Sequence, residues 1–325
     1  MPPVKGGIFF ALKTKFAYTK SATKLQINKG CCKIWYMKCL IIINRLSGNG
    51  KKADENILKQ TFGNGFDTDV FYVRKNTPTP NLLPYDRIVA CGGDGTLNRL
   101  VNNKTKQGAQ VFYCPYGTLN EVATGKANTL QDVCLANDKK FAYVLATGIF
   151  TPLGYRTKES QKQKFKALAY LFNVVKHYKI AHIYAQIEHD GSKTSDTYAL
   201  LLAIDSPKCF GFKFNKAYAH DDNKMHLLLI KSPKRKNIFG KIKIFFPLFR
   251  AFFVGFKKEY HSKNMSFVAF KNLAITLTQP TDFCMDGELA TFDGKIDVSL
   301  CKADTPVIVV SKEQIEDTFK QGKSF

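Results

Sequence analysis

One run constrains this chain more than any other: Arg87-Ile-Val-Ala-Cys-Gly-Gly-Asp-Gly-Thr-Leu-Asn98. A short, continuous apolar segment reads as a strand buried on both faces, and it passes through three glycines directly into a helical pattern. Gly92, Gly93 and Gly95 allow close backbone approach, and the N-terminus of the following helix offers free N–H groups and a positive dipole to a phosphate. Asp94 stands among those donors, where a carboxylate can hold the loop or help to position a metal on a polyphosphate. Thr96 and Asn98 follow on the first turns. Without a ligand, the same pattern is a tight strand-to-helix turn.

Two further segments repeat the design. Upstream, Ile41-Ile-Ile-Asn-Arg-Leu-Ser-Gly-Asn-Gly-Lys-Lys52 places Asn44, Arg45, Leu46, Ser47 and Gly48 after a strand, where Asn44 and Ser47 can donate to phosphate oxygens, Gly48 and Gly50 open the turn and Lys51 or Lys52 supplies charge. Read alone, it is equally the capped start of a helix. Downstream, Tyr113-Cys-Pro-Tyr-Gly-Thr-Leu-Asn-Glu121 sets Gly117, Thr118 and Asn120 at another strand end. Three such loops at the carboxyl ends of parallel strands would line one crevice, the place where open α/β sheets bind ligands.

The organisation expected around them is an α/β nucleotide-binding domain with a parallel sheet, then a mostly antiparallel β-sandwich domain. Strands are expected at Cys39–Ile43, Asp69–Val73, Arg87–Ala90 and Val111–Tyr113, and helices near Lys52–Gln60, Thr96–Asn103 and Asn120–Lys126. Beyond Phe141 one amphipathic helix, Gln163–Tyr178, precedes alternating segments at His182–Glu188, Thr197–Ile204, Met225–Ile230, Phe267–Leu277 and Ile296–Leu300. Asp190-Gly191 and Asp293-Gly294 supply hairpin signals. The divisions are residues 1–36 as a basic N-terminal extension, 37–138 as the α/β domain and 139–305 as the β-rich domain, with residues 306–325 free to return to the first.

The chain has 325 residues, 49 Lys+Arg against 26 Asp+Glu and a formal charge of +23, a balance that points to a polyanionic partner. Residues 1–36 carry seven lysines and no acid, and no signal-peptide pattern. The longest apolar stretch, Ile244–Phe256, has 13 residues and includes Pro247 and Arg250, too short to span a bilayer as a helix. Nine cysteines, odd in number and without metal spacing, read as reduced thiols of a cytoplasmic protein. The six histidines lack ligand spacing, and no zinc finger or RNA-binding signature accompanies the charge, so no nucleic acid is expected.

The three loops together resemble the diacylglycerol kinase catalytic family of lipid kinases, whose bacterial members are also similar to the later part of this chain. Asn44 to Gly48 match the family's Asn-Pro-x-Ser-Gly, residues 92 to 96 its Gly-Gly-Asp-Gly-Thr, and Pro115 to Asn120 its Pro-x-Gly-Thr-x-Asn. Phe150 to Thr157, Leu168 to Tyr170, Ala219 to Met225 and Met285-Asp-Gly-Glu288 follow in family order, so the resemblance spans about residues 38 to 310. It departs at Arg45 (usually Pro), Val73 (near a nucleotide-contacting Thr), Arg99 (often Glu), Glu121 (Asp) and Asn223 (Gly).

The resemblance implies ATP bound between the two domains and transfer of its γ-phosphate to a lipid hydroxyl, most simply diacylglycerol giving phosphatidic acid. Asn44 to Gly48, Gly93 to Thr96 and Thr118 would contact ATP, Asp222 would hold a structural Mg²⁺, and Glu288 would accept the proton. From the residues alone, Asp286-Gly287-Glu288 is first a hairpin turn, and secondly a pair of carboxylates of which one is base and the other its orienter.

Residues 231–263 hold ten Lys/Arg and one Glu around Ile242, Phe245, Phe249, Phe252, Phe253 and Phe256. That spacing suits a core-facing helix with solvated flanks or an interfacial helix on anionic lipid. The expected protein is thus a peripheral one at a membrane surface, and a homodimer is compatible with the sequence. Rival readings are a kinase of another lipid alcohol such as a sphingoid base, and a non-catalytic nucleotide-binding regulator at the membrane. NAD kinase shares the Gly-Gly-Asp-Gly loop but leaves the phenylalanine-rich basic stretch unexplained.

Overall fold

Continuous apolar runs form the strands at the centre of the molecule. The structure is a computed structural model, and it describes residues 37–75, 77–125, 128–149, 180–219, 222–234 and 237–325. The basic extension 1–36, the Gln163–Tyr178 helix and the segments Phe150–Thr157 and Leu168–Tyr170 lie outside the described residues. Residues 37–325 form one compact unit.

Strands β1 (Lys38–Ile43), β2 (Asp67–Tyr72), β3 (Arg87–Gly92) and β4 (Gln110–Pro115) are parallel, in the order β2-β1-β3-β4. Residues Cys39–Ile43 and all of β3 are buried, as expected for strands covered on both faces. The one charge among these buried residues, Arg87, is satisfied by the Phe62 carbonyl at 2.7 Å and the Gln110 amide oxygen at 2.9 and 2.6 Å, and stacks over Phe66. Helix α1 (Glu55–Phe62) is capped by Asp54, which accepts from the N–H groups of Asn56 and Ile57. Helices α2 (Asp94–Val101) and α3 (Glu121–Gly125) follow β3 and β4.

Then come β5 (Thr129–Ala136), β6 (Lys139–Phe141), β7 (Val144–Gly148), β8 (Ile183–His189), β9 (Ser192–Ile204) and β10 (Met225–Lys231). Helix α4 (Ile238–Phe249), which continues as a π turn over Arg250–Val254, leads to β11 (Tyr260–His261), β12 (Met265–Phe270), β13 (Asn272–Leu277), β14 (Thr281–Met285), β15 (Glu288–Phe292) and β16 (Lys295–Val309). Their pairing is antiparallel in the order β11-β12-β10-β9-β8-β13-β16. Strand β16 is the seam: Lys295–Ser299 pair antiparallel with β13, and Val307–Val309 pair parallel with β4. Helix α5 (Lys312–Lys320), started by a Ser311–Gln314 capping box, then packs on α1, and Phe325 stacks on Phe62 at 4.9 Å.

Two expectations are corrected. Phe267–Leu277 is two strands, because the chain turns at Lys271 and β12 pairs with β10 and β11 whereas β13 pairs with β8 and β16. The apolar series on α4 does not share one face: Phe252 and Phe256 are buried, while Ile242, Phe249 and Phe253 are exposed. Strands β5 to β7 carry no clear alternation in the sequence and are held by long-range pairing with β16, β14 and β9.

Candidate phosphoryl-transfer site

Register brings the three loops together. Ile43 lies beside Cys91 and Gly92 beside Pro115, so the loops that follow β1, β3 and β4 emerge side by side. Asn44 ties the first two: its amide donates to the Thr96 hydroxyl at 2.9 Å and its oxygen accepts from the Leu46 N–H at 3.0 Å. Ser47 donates to the Asn44 carbonyl at 2.7 Å and to the Tyr116 carbonyl at 3.2 Å, which ties the third. Asn120, at φ +50, closes the third loop by accepting from the Gly117 N–H at 2.7 Å. Gly93 and Gly117 face one another so closely that a Cβ on Gly117 would stand 2.6 Å from the Gly93 Cα. Glycine is required there for backbone approach.

The cap of α2 is Gly93, which has no side chain to satisfy the first turn. The N–H groups of Asp94 and Gly95 therefore lack intrahelical partners, an arrangement suited to an anion. Leu46, Gly48 and Thr118 are exposed on the loops. Arg45 is turned away: its guanidinium stacks over the Tyr72 ring at 4.5 Å and donates to the Tyr72 hydroxyl, which in turn donates to Glu55.

Behind the loops lies a buried acidic group. Asp94 accepts from the Glu121 N–H at 3.0 Å through Oδ2, while its buried Oδ1 has no partner. Burial pushes the Asp94 carboxyl up to about 7; the N–H of Glu121 lowers it, and the charges of Glu121 and Asp286 raise it further. Of the two roles weighed for Asp94, bracing the loop is the one these contacts perform. Glu121 is itself buried and accepts from the Gly211 N–H at 2.5 Å.

Two sequence-level assignments change here. Asp286 does not turn toward a cleft as an orienter of Glu288. It is buried, and its carboxylate accepts from the N–H groups of Tyr143 at 3.0 Å and Val144 at 3.1 Å, from that of Ala142, and from the Asn98 amide at 2.9 Å. Burial raises its pKa and these donors oppose the rise. Asn98 is consequently a buried link between α2 and the hairpin, not a group open to a nucleotide. With Asp286 at φ +50 and Gly287 at φ +92, the pair forms a two-residue hairpin turn between β14 and β15.

That turn delivers Glu288 to the loops. A Cβ on Gly95 would stand 2.8 Å from Glu288 Oε1, so the carboxylate lies against the open first turn of α2. Arg99, one turn further along α2, approaches Glu288 Oε1 at 3.6 Å. Arg99 also borders a cleft lined by the apolar Ile42, Phe71, Val73 and Leu100, by Thr77–Pro80 and by the polar Asn44 and Thr96. Arg99 and the Thr77–Pro80 segment were missed as site residues; an isolated Arg and a Thr-Pro repeat carry no local signature of chemistry.

The metal assignment does not fit. Asp222 is exposed and accepts from the Lys224 N–H at 3.0 Å in a turn, with Asn223 at φ +55. Among the described residues no three His, Cys, Asp or Glu side chains converge as a metal site. The described cysteines, at 39, 91, 114, 134, 209, 284 and 301, are all free thiols.

The fold is a parallel α/β layer continued into an antiparallel β region. The same fold is seen in two solved structures of proposed diacylglycerol kinases from Bacillus anthracis str. Sterne: one is 17% identical with a TM-score of 0.59, covering 84% of this chain and 97% of the other, and the second is 18% identical with a TM-score of 0.58, covering 85% and 98%. Residues 38–133 match the family described as the diacylglycerol kinase catalytic domain. A protein of Streptococcus pneumoniae serotype 4 (strain ATCC BAA-334 / TIGR4), proposed to be a lipid kinase, is 22% identical over 286 residues, covering 77% of this chain and 91% of the relative.

Proposed function

We propose that this protein is an ATP-dependent lipid kinase, acting at a membrane surface as a peripheral cytoplasmic protein and transferring the γ-phosphate to the hydroxyl of diacylglycerol. The observation that carries the reading is the position of Glu288 against Gly95. A carboxylate on the antiparallel part of the fold meets an uncapped helix start on the parallel part, so proton acceptor and phosphate donors converge.

In this mechanism Asn44, Ser47 and the glycines shape a crevice for the polyphosphate, and the Asp94 and Gly95 N–H groups hold its terminal oxygens. The apolar cleft beside Val73 takes the base and sugar. Glu288 accepts the proton of the acceptor hydroxyl as its oxygen bonds to the γ-phosphorus and the bond to the β-phosphate oxygen breaks, releasing ADP. Asp94, Asn98 and Asp286 brace the loop and the hairpin that carry these groups. Magnesium would arrive with the nucleotide; no step is assigned to it, because the described residues assemble no ligand set.

Radiolabelled ATP offered with diacylglycerol, a sphingoid base, other long-chain alcohols and NAD tests the proposal. Label in phosphatidic acid supports it. Label only in another lipid moves the acceptor, and label in NADP or in no product overturns it.

A further inference from the structure

Helix α4 and its π turn carry apolar side chains on a buried face and on an exposed one. Ile244, Leu248, Ala251 and Phe252 are buried against the core, with Phe252 edge-on to Phe212 and Phe214. The opposite face carries Phe239, Ile242, Phe246, Phe249 and Phe253, spaced three and four residues apart. All five are exposed, Phe239 at 62% and Phe246 at 65%. At 1.5 Å per residue this stripe is about 20 Å long. A contiguous exposed apolar stripe of this size marks an interaction surface.

Its surroundings indicate the partner. Lys243 lies between Ile242 and Phe246, Lys234 precedes the helix, and Lys257 and Lys258 follow it, all exposed. Among the described residues none of the four is in an ion pair. An apolar stripe edged by unpaired lysines matches the acyl boundary and headgroups of an anionic bilayer.

We propose that the outward face of α4 and its π turn, Phe239, Ile242, Phe246, Phe249 and Phe253, seats this protein on a bilayer containing anionic phospholipid. The phenylalanines enter the acyl boundary and Lys243, Lys257 and Lys258 meet the headgroups. This deepens the lipid-kinase reading, and a link in the structure suits it: Phe253 packs edge-on to Phe212 at 5.3 Å, and the adjacent Gly211 N–H is held by Glu121.

The test is sedimentation of the full chain with phosphatidylcholine vesicles, with and without phosphatidylglycerol, read alongside kinase activity on detergent-dispersed diacylglycerol. The double variant F239S/F246S should keep its melting temperature and its detergent-assay rate but bind anionic vesicles about tenfold or more weakly. K243S/K257S should lose binding to anionic vesicles at low salt, with the loss shrinking as salt rises. Unchanged vesicle binding by F239S/F246S overturns the proposal. So does a wild-type dimer that this variant abolishes, since a second copy then covers the stripe. Stripe-dependent vesicle binding by a chain that phosphorylates no lipid leaves this proposal standing and removes the kinase reading.

Discussion

The Arg99 guanidinium stands 3.6 Å from the Glu288 carboxylate, joining α2 to the hairpin that faces it. Both side chains are about half exposed, and such pairs contribute only about 0–1 kcal/mol to stability. The pair matters for where it is: Arg99 borders the cleft with Asn44 and Thr96, so its charge is available both to the proposed base and to an incoming phosphate. Arg99→Gln should leave the melting temperature within a few degrees of wild type and lower kcat/KM for ATP by about 10- to 100-fold, the effect of one lost charge-assisted contact. Unaltered steady-state kinetics would show that Arg99 only decorates the surface.

Glu288→Gln isolates the proton transfer. The amide is nearly isosteric and keeps the hairpin, so ATP affinity, measured by equilibrium titration, should hold. Turnover should fall by about 10²- to 10⁴-fold, or about 3 to 5 kcal/mol of transition-state stabilisation. Activity within a few-fold of wild type would place the base elsewhere.

Asp286→Asn should act on stability before chemistry. The buried carboxylate accepts from three backbone N–H groups and one amide, and an amide nitrogen in its place sets donor against donor. A loss of about 2 to 4 kcal/mol in denaturant unfolding is expected, the range for disrupting a buried network. An unchanged unfolding midpoint with abolished turnover would restore Asp286 to a direct catalytic role.

Asp94 gives the fold a pH dependence. Its pKa is raised from 3.8 to about 7 by burial, so between those values the folded state holds a proton that the unfolded chain has released. Stability therefore falls as pH rises through this window, and the full penalty is present above it. Asp94→Asn removes the ionisation, so its melting temperature should gain on wild type from pH 4 to pH 7 and hold the gain above. The gain should reach about 2 to 4 kcal/mol, at 1.36 kcal/mol per unit. A difference between the two proteins that is constant with pH would show that Asp94 does not titrate there.

Where the chemistry is local, the sequence is legible. Gly93 and Gly117 mark close approach, Asp286-Gly287 marks a two-residue turn, and the apolar runs ending at Ile43, Gly92 and Pro115 mark buried parallel strands, because each is decided by sterics and burial period within a few residues. Glu288 as a candidate base was legible from the residues only as the second reading of the Asp-Gly-Glu run, and the resemblance singled it out from Asp286.

Partners and faces were decided by tertiary structure. Asn98 and Asp286 are 188 residues apart, and no local preference reveals that their side chains meet in the interior. Nor does the spacing of phenylalanines say which side of α4 is covered, since a helix with apolar residues on two faces has no preferred one until β10 and the loop carrying Phe212 and Phe214 pack against it. Arg99 became a site residue in the same way, when the β14–β15 hairpin brought Glu288 beside it. Local sequence sets backbone geometry through short-range sterics, whereas burial and charge pairing depend on which distant segments exclude water together, and that is settled only by the assembled fold.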